Sequence, residues 1–212
     1  MQIDFVFQIA ILIMSVVIHE VSHGYAASFL GDQTARYQGR LTLNPLKHLD
    51  FMGSFLVPSI AYFLGGFIFG WAKPVPYNPY NLRPGRWSEA IVAAAGPAAN
   101  IILALTFGLF LRMSMATNPA SSGASWASPA FIQITSVIVF INILLAIFNL
   151  MPIPPLDGSK LLFAAFPDKF YQMRGFFERY GLVLVIFFIF FLWQFIFPII
   201  IWLFRLITGI SF

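Results

Sequence analysis

The chain has 212 residues, of which 59% are hydrophobic and only 9% charged, against about 25% charged in a typical soluble domain. That excludes a soluble globular protein, and the 26 Phe and 5 Trp suit helices in lipid and their interfaces. The net charge of +4 is spread through short loops, which encodes membrane topology rather than a nucleic-acid surface; with no cysteine, any metal must be held by His and carboxylates.

The first predicted helix covers residues 3–30 and stops at Gly31-Asp32. Its start lacks the positive region of a cleaved signal peptide, so it is expected to be retained as the first membrane helix. Between Ile3 and Ile18 only Asp4 and Gln8 interrupt the apolar run. The run then ends in His19-Glu20-Val21-Ser22-His23, an H-E-x-x-H pattern. Positions four apart share a helix face, so the two imidazoles can hold one metal ion. Glu20 beside them can take a proton from metal-bound water. Two histidines and a carboxylate at the end of an apolar helix are costly in lipid, and such groups mark functional sites. A catalytic zinc usually has three protein ligands, so a third must come from elsewhere.

Arg36, Arg40 and Lys47 follow in a basic loop. Residues 38–44 alternate polar and apolar with period two, which predicts a short strand. Residues 51–71 are apolar but broken by Gly53, Pro58, Gly65, Gly66 and Gly70, and are read as a re-entrant hairpin rather than a crossing. The prolines at 74, 76 and 79 forbid a helix and favour an extended, edge-type strand over residues 75–78.

Residues 87–111 form a clear membrane helix. Its Ala93-Ala94-Ala95-Gly96-Pro97-Ala98-Ala99-Asn100 segment lets a neighbouring helix approach closely, with Asn100 able to hydrogen-bond across. An uncharged loop, residues 113–128, leads to a further helix over residues 130–150. Asp157 is the only acidic residue between Glu89 and Asp168. By itself it reads as an Asp-Gly turn; paired with His19 and His23 it reads as the third ligand. Residues 181–207 form a last apolar segment, interrupted at Pro198.

Three motifs resemble the site-2 protease family of intramembrane zinc metalloproteases: His19-Glu20-Val21-Ser22-His23, Gly96-Pro97-Ala98-Ala99-Asn100 and Asn149 through Gly158. Gly39-Arg40-Leu41-Thr42-Leu43-Asn44-Pro45 looks like the small bacterial branch without accessory domains. The resemblance covers the chain to about Leu162. It implies that His19, His23 and Asp157 bind one Zn2+, that Glu20 is the catalytic base, and that Asn149 positions substrate or the oxyanion. Pro155-Leu156-Asp157-Gly158 departs from the family's usual Asn-Pro-Asp-Gly, which touches local shape rather than the ligand set.

The expectation is therefore an all-α, multi-pass membrane bundle with a re-entrant hairpin and short membrane-associated β-strands. It forms one domain over residues 1–212, with a catalytic core to about 162 and a C-terminal hydrophobic segment at 181–207. It would cleave transmembrane protein substrates in the bilayer; the rival is a membrane metal transporter or sensor using the same His/Asp set. Two ligands end the first helix and the third follows the 130–150 helix, so both ends must share a face. With the basic loops inside, that places the N-terminus outside and the site toward the cytoplasm of a bacterial inner membrane.

Overall fold

A computed structural model of the chain describes residues 5–50, 73–116 and 128–210, with Met52 and Leu56 besides. The helices are α1 (Phe5–Phe29), α2 (Thr34–Tyr37), α3 (Ser88–Ala116), α4 (Pro129–Asn149), α5 (Gly158–Ala165), α6 (Pro167–Phe187) and α7 (Trp193–Thr208). Among the described residues, four stretches are long and apolar enough to cross a membrane: Val6–Phe29, Ser88–Met115, Pro129–Asn149 and Arg179–Thr208. The protein is a multi-pass helical membrane protein, and its outward faces carry bulky apolar side chains such as Phe29, Phe190 and Phe195.

Side-chain pairings fix the helix directions. His23 and Ser15 of α1 meet Val92 and Asn100 of α3 in reversed order, so α1 and α3 run antiparallel. Asn100 meets Asn142, and Phe110 packs on Phe131 with ring centroids 5.7 Å apart, so α4 runs antiparallel to α3 and parallel to α1. The C-terminal ends of α1 and α4 and the N-terminal end of α3 thus lie at one face. Ala104, Val139, Ile143, Ile200 and Phe204 form the core between α3, α4 and α7. A second cluster, Ala27, Leu82 and Val92, ties the end of α1 to the start of α3.

The two stretches expected as strands, residues 40–44 and 75–78, are not strands. Their backbone donors are spent otherwise. The Arg40 N–H donates to Ala35 O, and the Asn44 N–H to Thr42 Oγ1. In the second stretch Pro76 has no N–H, the Val75 N–H donates to Glu20 Oε2 at 2.9 Å, and the Asn78 N–H to Asp32 Oδ2 at 2.8 Å. Side chains cap the extended backbone, so no ladder is needed to satisfy it. The hairpin expected over residues 51–71 lies outside the described residues. The last apolar segment also differs from expectation. Pro198 sits inside α7 without ending it, and the irregularity is a wide π turn at Phe188–Leu192.

Gly31, at φ +112°, ends α1 in a conformation that a side chain would strain. Asp32 follows and is fully buried. Its carboxylate accepts the Thr34 hydroxyl at 2.6 Å, the Thr34 N–H, the Asn78 N–H and the Asn81 amide. Burial opposes its ionisation, but these bonds, led by the Thr34 hydroxyl, outweigh it and hold its pKa below the usual range. Asp32 thereby fastens the 74–82 loop over the end of α1. A lowered folded-state pKa gives stability that is present above the unfolded value of about 3.9 and lost as pH falls through the folded value. In detergent, the melting temperature should stay flat in this respect from pH 8 to 5 and fall below pH 4. Asp32→Asn should lack that acid-dependent part, and Asp32→Ala should cost about 2–4 kcal/mol at pH 7.

Candidate metal centre

His19 and His23 stand one helical turn apart on α1. Their rings meet edge to face, centroids 4.6 Å apart, and their Nε2 atoms lie 3.0 Å from each other. Asp157, between α4 and α5, brings Oδ2 to 3.2 Å from both. These three are the cluster of ligating atoms found among the described residues. A tetrahedral ion about 2.0 Å from each donor would set the donors about 3.3 Å apart, so the triangle fits zinc.

The far sides of the rings say the same. His23 Nδ1 lies 2.7 Å from Val92 O. A carbonyl only accepts, so Nδ1 carries the proton and Nε2 keeps its lone pair for the cluster. His19 Nδ1 lies 2.6 Å from Asn100 Oδ1. Two bare ring nitrogens facing each other at 3.0 Å repel unless a cation or a proton sits between them. Burial opposes ionisation of Asp157, yet the two imidazoles outweigh it and hold the carboxyl well below the usual carboxylate range.

The bend after α4 brings Asp157 back to α1, and Gly96 allows α3 to close from the other side. A Cβ at Gly96 would overlap Nε2 of both histidines. The small residue there serves the site as well as the packing expected of it. Asn100 likewise bridges helices as expected, and in addition it grips a candidate ligand.

Glu20, His19, His23, Asp157 and Asn149 all line one cavity of about 190 Å³. Glu20 is held by the Val75 N–H. Asn149 donates one amide hydrogen to Leu145 O at 2.9 Å and has a second one to offer. Pro74, Val75, Tyr77, Pro155 and Lys160 complete the wall; Val75 and Tyr77 belong to the stretch expected as a strand, and Lys160 carries no site expectation from sequence. Lys160 carried a readable signal: it lies three residues after Asp157, hence on nearly the same face of α5. Its ammonium sits 5.0 Å from the centre of the Tyr77 ring, a cation–π contact. Tyr77 falls in the expected 75–78 strand, which is loop in the structure.

Gly96→Ala should leave the helices formed but strip the metal. Zinc content of the purified variant should fall well below that of the wild type, while helicity by circular dichroism stays unchanged. Normal zinc content would mean that α3 does not crowd the ligands.

The Peptidase family M50 model matches residues 7–123 and 113–192. The chain is 38% identical over 172 residues to "Putative zinc metalloprotease YwhC" of Bacillus subtilis, covering 81% of this chain and 74% of that protein. It is 34% identical over 158 residues to "Putative zinc metalloprotease Rip2" of Mycolicibacterium smegmatis, and 30% identical to the Rip2 of Mycobacterium tuberculosis. Each of these matches covers 74% of this chain and 56% of the relative. No solved structure matches significantly. This decides between protease and metal transporter: the chain belongs to Peptidase family M50, the intramembrane zinc metalloproteases.

Proposed function

We propose that one zinc per chain is held by His19, His23 and Asp157, that Glu20 is the general base, and that the substrates are membrane-spanning segments of other proteins. The observation that carries this reading is the shared cavity, on which the carboxylate of Glu20 and all three ligands open.

Bound zinc would supply Lewis-acid polarisation of the scissile carbonyl and of the attacking water. Glu20 is placed to accept the proton of that water and to pass it to the leaving nitrogen. The Val75 N–H on Oε2 keeps the carboxylate turned toward the cavity. Asn149 offers its remaining amide hydrogen to the developing oxyanion. The substrate helix must unwind locally before its carbonyl is exposed, and unwound backbone is costly in lipid. The polar wall of the cavity, with Tyr77 and Lys160 at its rim, gives such backbone a place outside the hydrocarbon.

For topology, the reading is a cytoplasm-facing site in a bacterial inner membrane, an outside N-terminus and a re-entrant pass at residues 51–71. Two hydrogen bonds support it. The Arg83 N–H donates to Leu30 O at 2.8 Å, and the Lys73 N–H to His48 O at 2.8 Å. The chain therefore leaves and regains the same face between α1 and α3, and Arg36, Arg40, Lys47, Lys73, Arg83 and Arg86 stay together as the positive-inside rule requires.

Two experiments test these points. Glu20→Gln should keep zinc and lower cleavage of single-span membrane proteins by about two to four orders of magnitude; near-normal turnover would remove Glu20 from the chemistry. The chain has no cysteine, so single cysteines report sidedness cleanly. Cysteines at Gln38 and Asn81 should both resist an impermeant external thiol reagent, while one at Ser122 should react. Opposite behaviour at Gln38 and Asn81 would mean that residues 51–71 cross.

A further inference from the structure

Three membrane-spanning helices each bury one polar residue at the same junction: Ser15 on α1, Asn100 on α3 and Asn142 on α4. Both asparagines are 0% exposed. Asn142 belongs to none of the metal-site motifs and touches none of the three candidate ligands. A carboxamide buried within a membrane bundle is costly unless its hydrogen-bonding groups are satisfied, and the way these are satisfied carries information.

The chain of reasoning starts at a backbone carbonyl. Asn142 Nδ2 lies 2.9 Å from Ile138 O and 2.9 Å from Ser15 Oγ. Ile138 O can only accept, so the amide nitrogen of Asn142 must face it. Its Oδ1 then faces Asn100, 2.8 Å from Nδ2. Asn100 must present its own nitrogen there, and the second hydrogen of that nitrogen points to Ser15 O, another pure acceptor, at 3.4 Å. This leaves Asn100 Oδ1 turned toward His19 Nδ1 at 2.6 Å. An amide oxygen cannot donate, so His19 carries its proton on Nδ1. Nε2 is then the nitrogen with a free lone pair, and it is the one that faces His23 and Asp157. His23 needs no such relay, because Val92 O fixes its tautomer directly.

We infer that Asn142 is a positioning residue for the metal site: it sets the orientation of the Asn100 amide, and through it the ring tautomer that frees His19 Nε2 for zinc. The inference rests on the reading of His19 as a ligand. The rival role for Asn142 is a helix staple with no bearing on His19.

The test uses the full chain in detergent, with zinc affinity measured by competition against a chelator. Outer-shell partners of metal-binding histidines typically contribute ten- to a hundredfold in affinity. Asn142→Leu keeps the volume and removes the acceptor, so it should weaken zinc binding about ten- to a hundredfold. Asn142→Asp, kept neutral by burial, can donate its O–H to Ile138 O while still offering an oxygen to Asn100 Nδ2, and should stay near wild type. In an Asn100→Ala background, Asn142→Leu should weaken affinity no further, because the relay is already cut. A staple predicts the opposite pattern: an unchanged affinity in Asn142→Leu with only a lower melting temperature, or losses that add in the double variant. Either result overturns the proposal.

A second measurement is independent of metal. With only three histidines in the chain, nitrogen-15 labelling of the zinc-free protein reads the tautomer of His19. It should be protonated at Nδ1 in the wild type and mixed in Asn142→Leu. A mixed tautomer in the wild type would sink the relay. Zinc binding that is absent from the wild type, with the Nδ1–H tautomer intact, would instead count against His19 as a ligand and leave the relay standing.

Discussion

The grip of α3 on the two imidazoles of α1 is the constraint on which the site depends. Each ring uses its far nitrogen to reach α3, His23 to a carbonyl and His19 to a side-chain oxygen. That leaves both near nitrogens aimed at one point. Helices in lipid gain little from burying apolar surface against each other, so their contacts rest on close packing and polar bonds. Here the same bonds that hold α1 to α3 also orient the two candidate ligands. Packing and chemistry are one set of interactions, and Gly96 is the position at which both fail together if a side chain is added.

The polar roof of the site follows a similar economy. The loop over residues 74–82 brings backbone N–H groups to the end of α1 with no strand beside them. Asp32 takes the Asn78 N–H and Glu20 takes the Val75 N–H. Arg40 supplies the converse, donating from Nη2 to Lys73 O at 2.9 Å. Charged groups make stronger hydrogen bonds than neutral ones, so three side chains hold a segment that a sheet would otherwise have to hold. Glu20 is thus both a wall of the cavity and an anchor of its roof. Its orientation is coupled to the loop over residues 74–82 through the Val75 N–H.

Much of this was legible in the sequence, for physical reasons that differ from element to element. The helices showed because membrane spans are long, apolar and closed by glycine, proline or polar residues; α1, α3 and α4 lie within a few residues of where those signals put them. His19, His23 and Asp157 showed because ionisable groups are rare in such a chain. The strands did not follow, because alternation over residues 40–44 reports only that side chains point two ways, and a capped loop does that as well as a ladder. Tyr77 fell inside the expected strand, and strand patterning carries no sign that its ring would line the cavity. Asn142 was invisible because a lone asparagine in an apolar helix reads as one tolerated polar residue, and its partners on α1 and α3 are distant in sequence. Pro198 was misleading. A proline in a helix removes one hydrogen bond, and α7 runs on through it while the wide turn at Phe188–Leu192 lies about two turns earlier.

The direction of the helices explains why Asp157, so far along the chain, can meet His19 and His23. α1 and α4 run parallel, separated by one antiparallel pass of α3, so their C-terminal ends meet at one face. A ligand on α4 itself would have to project sideways from a helix. Asp157 instead follows the proline-rich bend that ends α4 and stands immediately before α5, already in helical dihedrals at φ −61° and ψ −35°. Gly158 sits against Leu150 O, with no room for a side chain, and this closeness keeps the bend tight. The carboxylate therefore enters at the start of α5, while the histidines come from α1, and the two meet directly, Oδ2 lying 3.2 Å from each Nε2. Gly96 of α3 packs against both imidazoles from beside them, where a side chain would overlap them.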